Sequence, residues 1–179
     1  AKSNGYNSIR LSWSNVPGAT GYYVYRYNTT TKAYAYIGSA TGTTYINTSS
    51  ALVSGRTYLY KVRAYKLVGT TKVGGAYSVT KSAVPIPSAP KIALTKMTST
   101  SIKISWSGVS GASYYEIYRK TGSSGTWVYV GRSKYATSRS WTNINLTRGK
   151  TYYYKVRACR VVGSQVVKGA FSTATGKTM

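Results

Sequence analysis

Basic and aromatic side chains alternate in two stretches of this sequence, Tyr60-Lys61-Val62-Arg63-Ala64 and Tyr154-Lys155-Val156-Arg157-Ala158. Guanidinium and ammonium groups pair with phosphate, sulfate or carboxylate, and neighbouring rings stack on sugars or bases. That is chemistry for holding an anionic polymer. The groups that catalysis needs are missing. There is no histidine, and Glu116 is the one carboxylate. General acid–base work calls for a group that titrates near working pH, usually His or a perturbed carboxylate. Glycoside hydrolysis takes two carboxylates, and a Ser or Cys nucleophile takes a base. Hard and borderline metals want carboxylates or imidazoles. No glycine-rich phosphate loop precedes a helix pattern. The expectation is a chain that binds or spaces, with no enzyme activity, metal or cofactor.

Lysine and arginine number 25, for a formal net charge of +24. Charge of this size bears on solubility, self-repulsion and attraction to polyanions, and says nothing about fold. It points to an anionic partner or environment, with carboxylates removed by design or adaptation to acid as alternatives. Residues 1–87 carry 10 basic side chains and no acidic one, and residues 88–179 carry 15 and Glu116. A polyanion should therefore be held mainly by the second half. The lone Cys159 excludes an intramolecular disulfide framework, and its slot matches Tyr65, so it reads as a strand residue. From the residue pattern neither a membrane span nor a signal peptide is expected within these residues. The chain reads as a mature or excised, monomeric segment of something longer, without membrane insertion.

The elements that must position these residues come as a repeat. Ser8-Ile9-Arg10-Leu11-Ser12-Trp13-Ser14 returns as Ser101-Ile102-Lys103-Ile104-Ser105-Trp106-Ser107. Tyr22-Tyr23-Val24-Tyr25-Arg26 returns as Tyr115-Glu116-Ile117-Tyr118-Arg119, and Gly75-Ala76-Tyr77-Ser78 as Gly169-Ala170-Phe171-Ser172. Between the copies, Pro85-Ile86-Pro87-Ser88-Ala89-Pro90 reads as an extended, semi-rigid connector. The boundary is placed so that the modules are 1–87 and 88–179. The second half keeps a first strand, 91–95, whereas the first half starts almost at its second strand, as if cut near the domain edge.

Within each half, apolar residues alternate with period two between Gly- and Ser-rich turns about ten residues apart, the pattern of an all-β sandwich. Ile9, Leu11 and Trp13 face inward, as do Ile102, Ile104 and Trp106. Tyr58, Tyr60, Val62 and Ala64 also face inward, leaving Lys61, Arg63 and Tyr65 outside. Residues 69–75 read as a turn and 76–83 as the last strand. Trp13 followed by Val16-Pro17-Gly18-Ala19-Thr20-Gly21-Tyr22-Tyr23-Val24-Tyr25-Arg26 resembles a fibronectin type III module. So does the spacing Leu52, Gly55, Tyr58, repeated as Leu146, Gly149, Tyr152. The resemblance covers nearly the whole chain twice and is strongest to modules of secreted and surface-anchored bacterial proteins. It implies two immunoglobulin-like, seven-stranded β-sandwiches in tandem. It also implies tyrosine corners at Tyr58 and Tyr152, and core packing for Trp13 and Trp106. Asn47 and Asn143 stand where such modules usually carry acidic residues. Arg148-Gly149-Lys150 lacks the Asp of an integrin-binding tripeptide.

In this family the third, sixth and seventh strands share a sheet. Its outward residues would include Tyr23, Tyr25, Lys61, Arg63 and Tyr65 in the first half, and Tyr118, Tyr153, Lys155 and Arg157 in the second. Trp127, beside the Gly122–Gly125 turn and without a clear counterpart, is the further surface candidate. Trp141 matches Tyr45 and reads as half-buried. Glu116 is expected in a cross-strand ion pair with Lys155 or Arg157. The functional expectation is an extracellular segment associated with a cell-wall polymer, acidic glycan or nucleic acid. A passive spacer between other domains and a protein–protein adhesion module are the alternatives.

Overall fold

Period-two alternation is realised as sixteen strands and no helix in the computed structural model, which describes residues 1–179. They fall into two compact units, Ala1–Pro85 and Ile86–Met179. The first contains β1 (Lys2–Gly5), β2 (Ser8–Ser12), β3 (Gly21–Asn28), β4 (Ala33–Ala40), β5 (Thr44–Thr48), β6 (Tyr58–Val68), β7 (Thr71–Tyr77) and β8 (Lys81–Ala83). The second contains β9 (Ile92–Thr98), β10 (Ser101–Trp106), β11 (Tyr114–Thr121), β12 (Val128–Arg132), β13 (Ser140–Asn143), β14 (Thr151–Val162), β15 (Gln165–Phe171) and β16 (Thr175–Thr178). Each unit has a three-stranded sheet, β1-β2-β5 or β9-β10-β13. The other sheet runs β4-β3-β6-β7 or β12-β11-β14-β15, with β8 and β16 continuing along β6 and β14. All pairing is antiparallel, and counting β7–β8 and β15–β16 as broken single strands gives seven strands per sandwich.

Three details differ from the sequence reading. The first unit does have its first strand: Lys2 pairs with Arg10 and Ser3 with Ile9. Residues 69–75 are mostly strand, because β6 and β7 form a tight hairpin closed at Gly69-Thr70, with Val68 opposite Thr71. Gly69 adopts φ +59°, which glycine takes without steric cost. The last strand is broken at Ser78 rather than continuous. Ser78 N–H donates to Val62 O, and its hydroxyl accepts from Val62 N–H. Ser172 does the same at Val156. The side chain thus satisfies a backbone donor that the ladder would otherwise serve.

Inward residues follow the expected parity. Ile9, Leu11, Val24 and Tyr60 are buried in the first core, with Trp13, Tyr45 and Tyr58 packed against it. Ile102, Ile104, Trp106, Tyr115, Ile117, Tyr154 and Val156 are buried in the second. The tyrosine corners form: Val53 N–H donates to Tyr58 Oη at 2.8 Å while that hydroxyl donates to Ala51 O, and Thr147 N–H donates to Tyr152 Oη at 3.0 Å.

Each core is crossed by one polar network. Tyr60 Oη donates to Asn47 Oδ1 at 3.0 Å and Arg26 reaches the same oxygen at 3.4 Å; Tyr154, Asn143 and Arg119 repeat this at 2.9 and 3.0 Å. Burial pushes the Tyr60 and Tyr154 phenols up to about 12 against an ordinary value of 10.0. Unfolded tyrosine loses its proton near pH 10 while the folded one keeps it. This stability is therefore present below pH 10 and is lost as pH rises to about 12. About 3 kcal/mol per sandwich is expected to go. Urea unfolding between pH 8 and 12, alongside phenolate absorbance, tests this; an unchanged urea midpoint would contradict it.

Candidate binding faces

On the outer face of the larger sheet, cations and rings interleave. In the first sandwich Lys61 Nζ lies 4.7 Å from the Tyr34 ring centroid and 5.9 Å from that of Tyr77, and the Arg63 guanidinium lies 5.2 Å from Tyr77. Tyr25 meets Tyr77 edge-on at 5.1 Å and Tyr36 at 6.0 Å. In the second, Lys155 Nζ lies 4.4 Å from Trp127 and 4.1 Å from Phe171, and Arg157 lies 4.6 Å from Phe171. Tyr118 meets Phe171 edge-on at 5.1 Å and Tyr129 at 5.6 Å. The same arrangement has been built twice.

The repetition gives Trp127 its counterpart, Tyr34: Tyr34 lies within β4 and Trp127 just before β12, each under the equivalent lysine. Tyr34, Tyr77 and Phe171 belong to these faces and are absent from the list read off the sequence. The match of Gly75-Ala76-Tyr77-Ser78 to Gly169-Ala170-Phe171-Ser172 was the available signal. Tyr153 joins through Lys120, whose ammonium lies 5.2 Å from its ring and 5.4 Å from Trp127. Among the rings of these two faces Tyr36 and Tyr129 are left most open, 55% and 52% exposed.

Tyr65 stands apart from the expectation. It lies on the outward side but is buried, stacked on Tyr23 at 4.6 Å and lying over Gly21. A Cβ on Gly21 would come within 2.6 Å of the Tyr65 hydroxyl. Gly21 and Tyr65 are register partners, and the equivalent pair is Tyr114 and Cys159. The large ring has moved from one strand to its neighbour, and the small residue has moved the other way. Cys159 is therefore a packing residue, and burial pushes its thiol up to about 11, away from reactivity.

Glu116 is register partner to Arg157 and pairs with it at 2.7 Å. Arg157 also donates to Tyr118 Oη at 2.9 Å. Glu116 is buried and Arg157 partly buried, with side chains 11% and 15% accessible. Burial weakens the guanidinium's hold on its proton, but the hydrogen bond and charge of Glu116 outweigh this, and its pKa rises above the ordinary value. Tyr23 occupies the Glu116 slot in the first sandwich, so Arg63 turns instead to the carbonyls of Gly74 and Gly75. Lys155 receives no such compensation. Burial first, then the charges of Arg157 and Lys120, push its ammonium below the ordinary lysine value. Cations therefore crowd a face on which the only carboxylate is already committed to Arg157.

No protein-family model matches the chain. The two-domain fibronectin type III segment of chicken tenascin superposes over 98% of this chain and 94% of its own, at TM-score 0.51 and 14% identity. The chicken interferon gamma receptor alpha chain does so over 99% and 94%, at TM-score 0.63 and 11% identity. The chain has the fold of two fibronectin type III modules in tandem. In sequence, the tandem is similar to part of Exoglucanase B of Cellulomonas fimi, 32% identical over 170 residues. That match covers 89% of the tandem and 14% of the exoglucanase. It is also similar to part of a poly(3-hydroxybutyrate) depolymerase of Ralstonia pickettii, 35% identical over 87 residues, covering 49% of the tandem and 16% of that protein. The match thus spans less than a fifth of either relative's length. No helix in it is long and apolar enough to cross a membrane.

Proposed function

We propose that the tandem is an extracellular segment of a larger secreted or surface protein, holding an anionic polymer on the cation–aromatic faces of its two larger sheets. The observation that carries this reading is the doubled ladder of Lys61, Arg63, Tyr34 and Tyr77 against Lys155, Arg157, Trp127 and Phe171. Rings hold the lysines at fixed positions, so an arriving anion meets oriented charges rather than mobile ones. Its charge also offsets the burial and the repulsion by Arg157 and Lys120 that lower Lys155. A cell-wall polymer or an acidic glycan fits best, since its sugars or polyols stack on Tyr36 and Tyr129, and nucleic acid fits through charge. The extracellular setting is supported by the relatives, an exoglucanase and a poly(3-hydroxybutyrate) depolymerase.

The test is titration against wall teichoic acid, a heparin-like glycan and DNA at three salt concentrations. Tight binding with steep salt dependence is expected. Replacing Lys61, Lys120 and Lys155 together by Gln should lower the magnitude of the log–log salt slope on duplex DNA by about 3, roughly 0.9 per lost phosphate contact. Of single-module replacements, those in the second are expected to weaken binding more. An unaltered slope, or no binding to any polymer at low salt, sinks the proposal.

A second reading is a passive spacer, favoured by the relatives, where the matched stretch is a minor part of an enzyme chain. It predicts that the same lysine replacements leave the parent protein's attachment unchanged.

A further inference from the structure

A cavity of about 390 Å³ opens at one end of the first module, lined among others by Arg26, Tyr27, Thr29, Arg56, Thr57 and Tyr58. We propose that it binds an oxyanion ester, a phosphate or sulfate carried on a sugar or polyol. This rests on the polyanion reading above and gives it a discrete site.

The argument begins with the two guanidiniums. Arg26 extends from β3 over the Tyr58 ring at 5.7 Å, and its hydrogen bond goes to Asn47 Oδ1 at 3.4 Å. Arg56, in the turn before β6, donates to Thr29 Oγ1 at 3.4 Å. Both acceptors are neutral and both contacts are long, while each guanidinium carries five donors. The module contains no Asp or Glu, so no carboxylate of its own can settle between them. Charge-assisted, paired N–H contacts to an oxyanion would use the remaining donors.

The surroundings suit more than a bare anion. The volume falls within the range of small-molecule sites. Thr29 and Thr57 line the cavity together with Tyr27 and Tyr58, and hydroxyls with aromatic rings are a combination that takes a sugar or polyol. The rim is held in place: Asn28 Oδ1 accepts from the N–H groups of Thr30 and Thr31 at 2.9 and 3.3 Å, and Arg56 N–H donates to Val53 O at 3.2 Å. Tyr58 is fixed by its corner bonds. The second module has changed the same positions, with Lys150 for Arg56, Gly122 for Thr29 and Lys120 for Tyr27. There Arg119 is drawn to 3.0 Å from Asn143. The site therefore belongs to the first module, although the second carries more charge.

Calorimetric titration of the full chain with glycerol 3-phosphate, galactose 6-sulfate, inorganic phosphate and inorganic sulfate tests this. Saturable binding of at least one ester is expected, weakened tenfold or more by Arg56→Gln. Arg10→Gln removes the same charge from an exposed position on β2 and should change affinity less than twofold. Equal losses from both variants, or no saturable binding, overturn the site. Inorganic anions binding as tightly as the esters overturn the sugar or polyol part. Polymer binding that persists without ester binding refutes the cavity and leaves the sheet faces standing. Ester binding that persists when the lysine replacements leave the polymer salt slope unaltered refutes the sheet faces and leaves the cavity.

Discussion

Tyr154→Ala is expected to destabilise the second module by about 3–5 kcal/mol, the range for truncating a fully buried large aromatic. Tyr154 is wholly buried, and its ring stands among Ile102, Ile104, Ile117 and Val156 in one cluster. Truncation opens a cavity there and also takes a donor from Asn143 Oδ1, which then holds only the Arg119 contact. Arg119 already has its Nε buried without a partner, so the network has little slack. Tyr154→Phe separates the two contributions, keeping the ring and losing the hydroxyl, for about 1 kcal/mol. Urea unfolding followed by tryptophan fluorescence measures both. A cost for Tyr154→Ala no larger than that for Tyr154→Phe would mean that the cavity collapses and the packing account fails.

Glu116→Gln comes next, with an expected loss of about 3 kcal/mol or more. Removing one member of a buried ion pair strands the other, and that penalty exceeds the net worth of the intact pair. Arg157 keeps Tyr118 Oη and the Phe171 ring, neither of which supplies a counter-charge. Lys168, at 4.0 Å from Glu116, is half-exposed and adds little. The double replacement Glu116→Leu/Arg157→Met should cost less than Glu116→Gln alone, because it removes both charges. A double variant worse than the single would show that the pair itself, rather than the stranded charge, carries the stability. Polyanion binding by Glu116→Gln should rise, since Arg157 is released to face an anion. Unchanged binding would place Arg157 outside the binding face.

What could be read without the structure followed from local periodicity. A strand exposes alternate residues to opposite faces, so Ile9, Leu11 and Trp13 or Tyr60 and Val62 declare their side from spacing alone. The repeat then doubled each inference. Corner residues Tyr58 and Tyr152 were legible for the same reason, because the groups they bind lie five to seven residues upstream. Lys61, Arg63, Lys155 and Arg157 were legible as outward cations, and Glu116 as the partner of Lys155 or Arg157, of which strand register selects Arg157.

Contacts across long sequence separations were decided only by the fold. Tyr65 and Gly21 are 44 residues apart, and their close approach buries a side chain whose parity marks it as outward. The exchange of ring between Gly21–Tyr65 and Tyr114–Cys159 is visible only once register is known. Asn47 and Asn143 read only as replacements for acidic residues, and the fold buries them as acceptors for Tyr60 and Tyr154. The cavity joins Arg26 on one strand to Arg56 in a distant turn. Nothing in the spacing of either residue points to the other. Sequence by itself determined the sandwich, its repeat, its inward faces and its excess of cations, since these depend on residue type and a period of two. Tertiary structure decided which cations are held by rings, which by Glu116 and which remain open to an anion, because those distances are set by strand register and sheet twist.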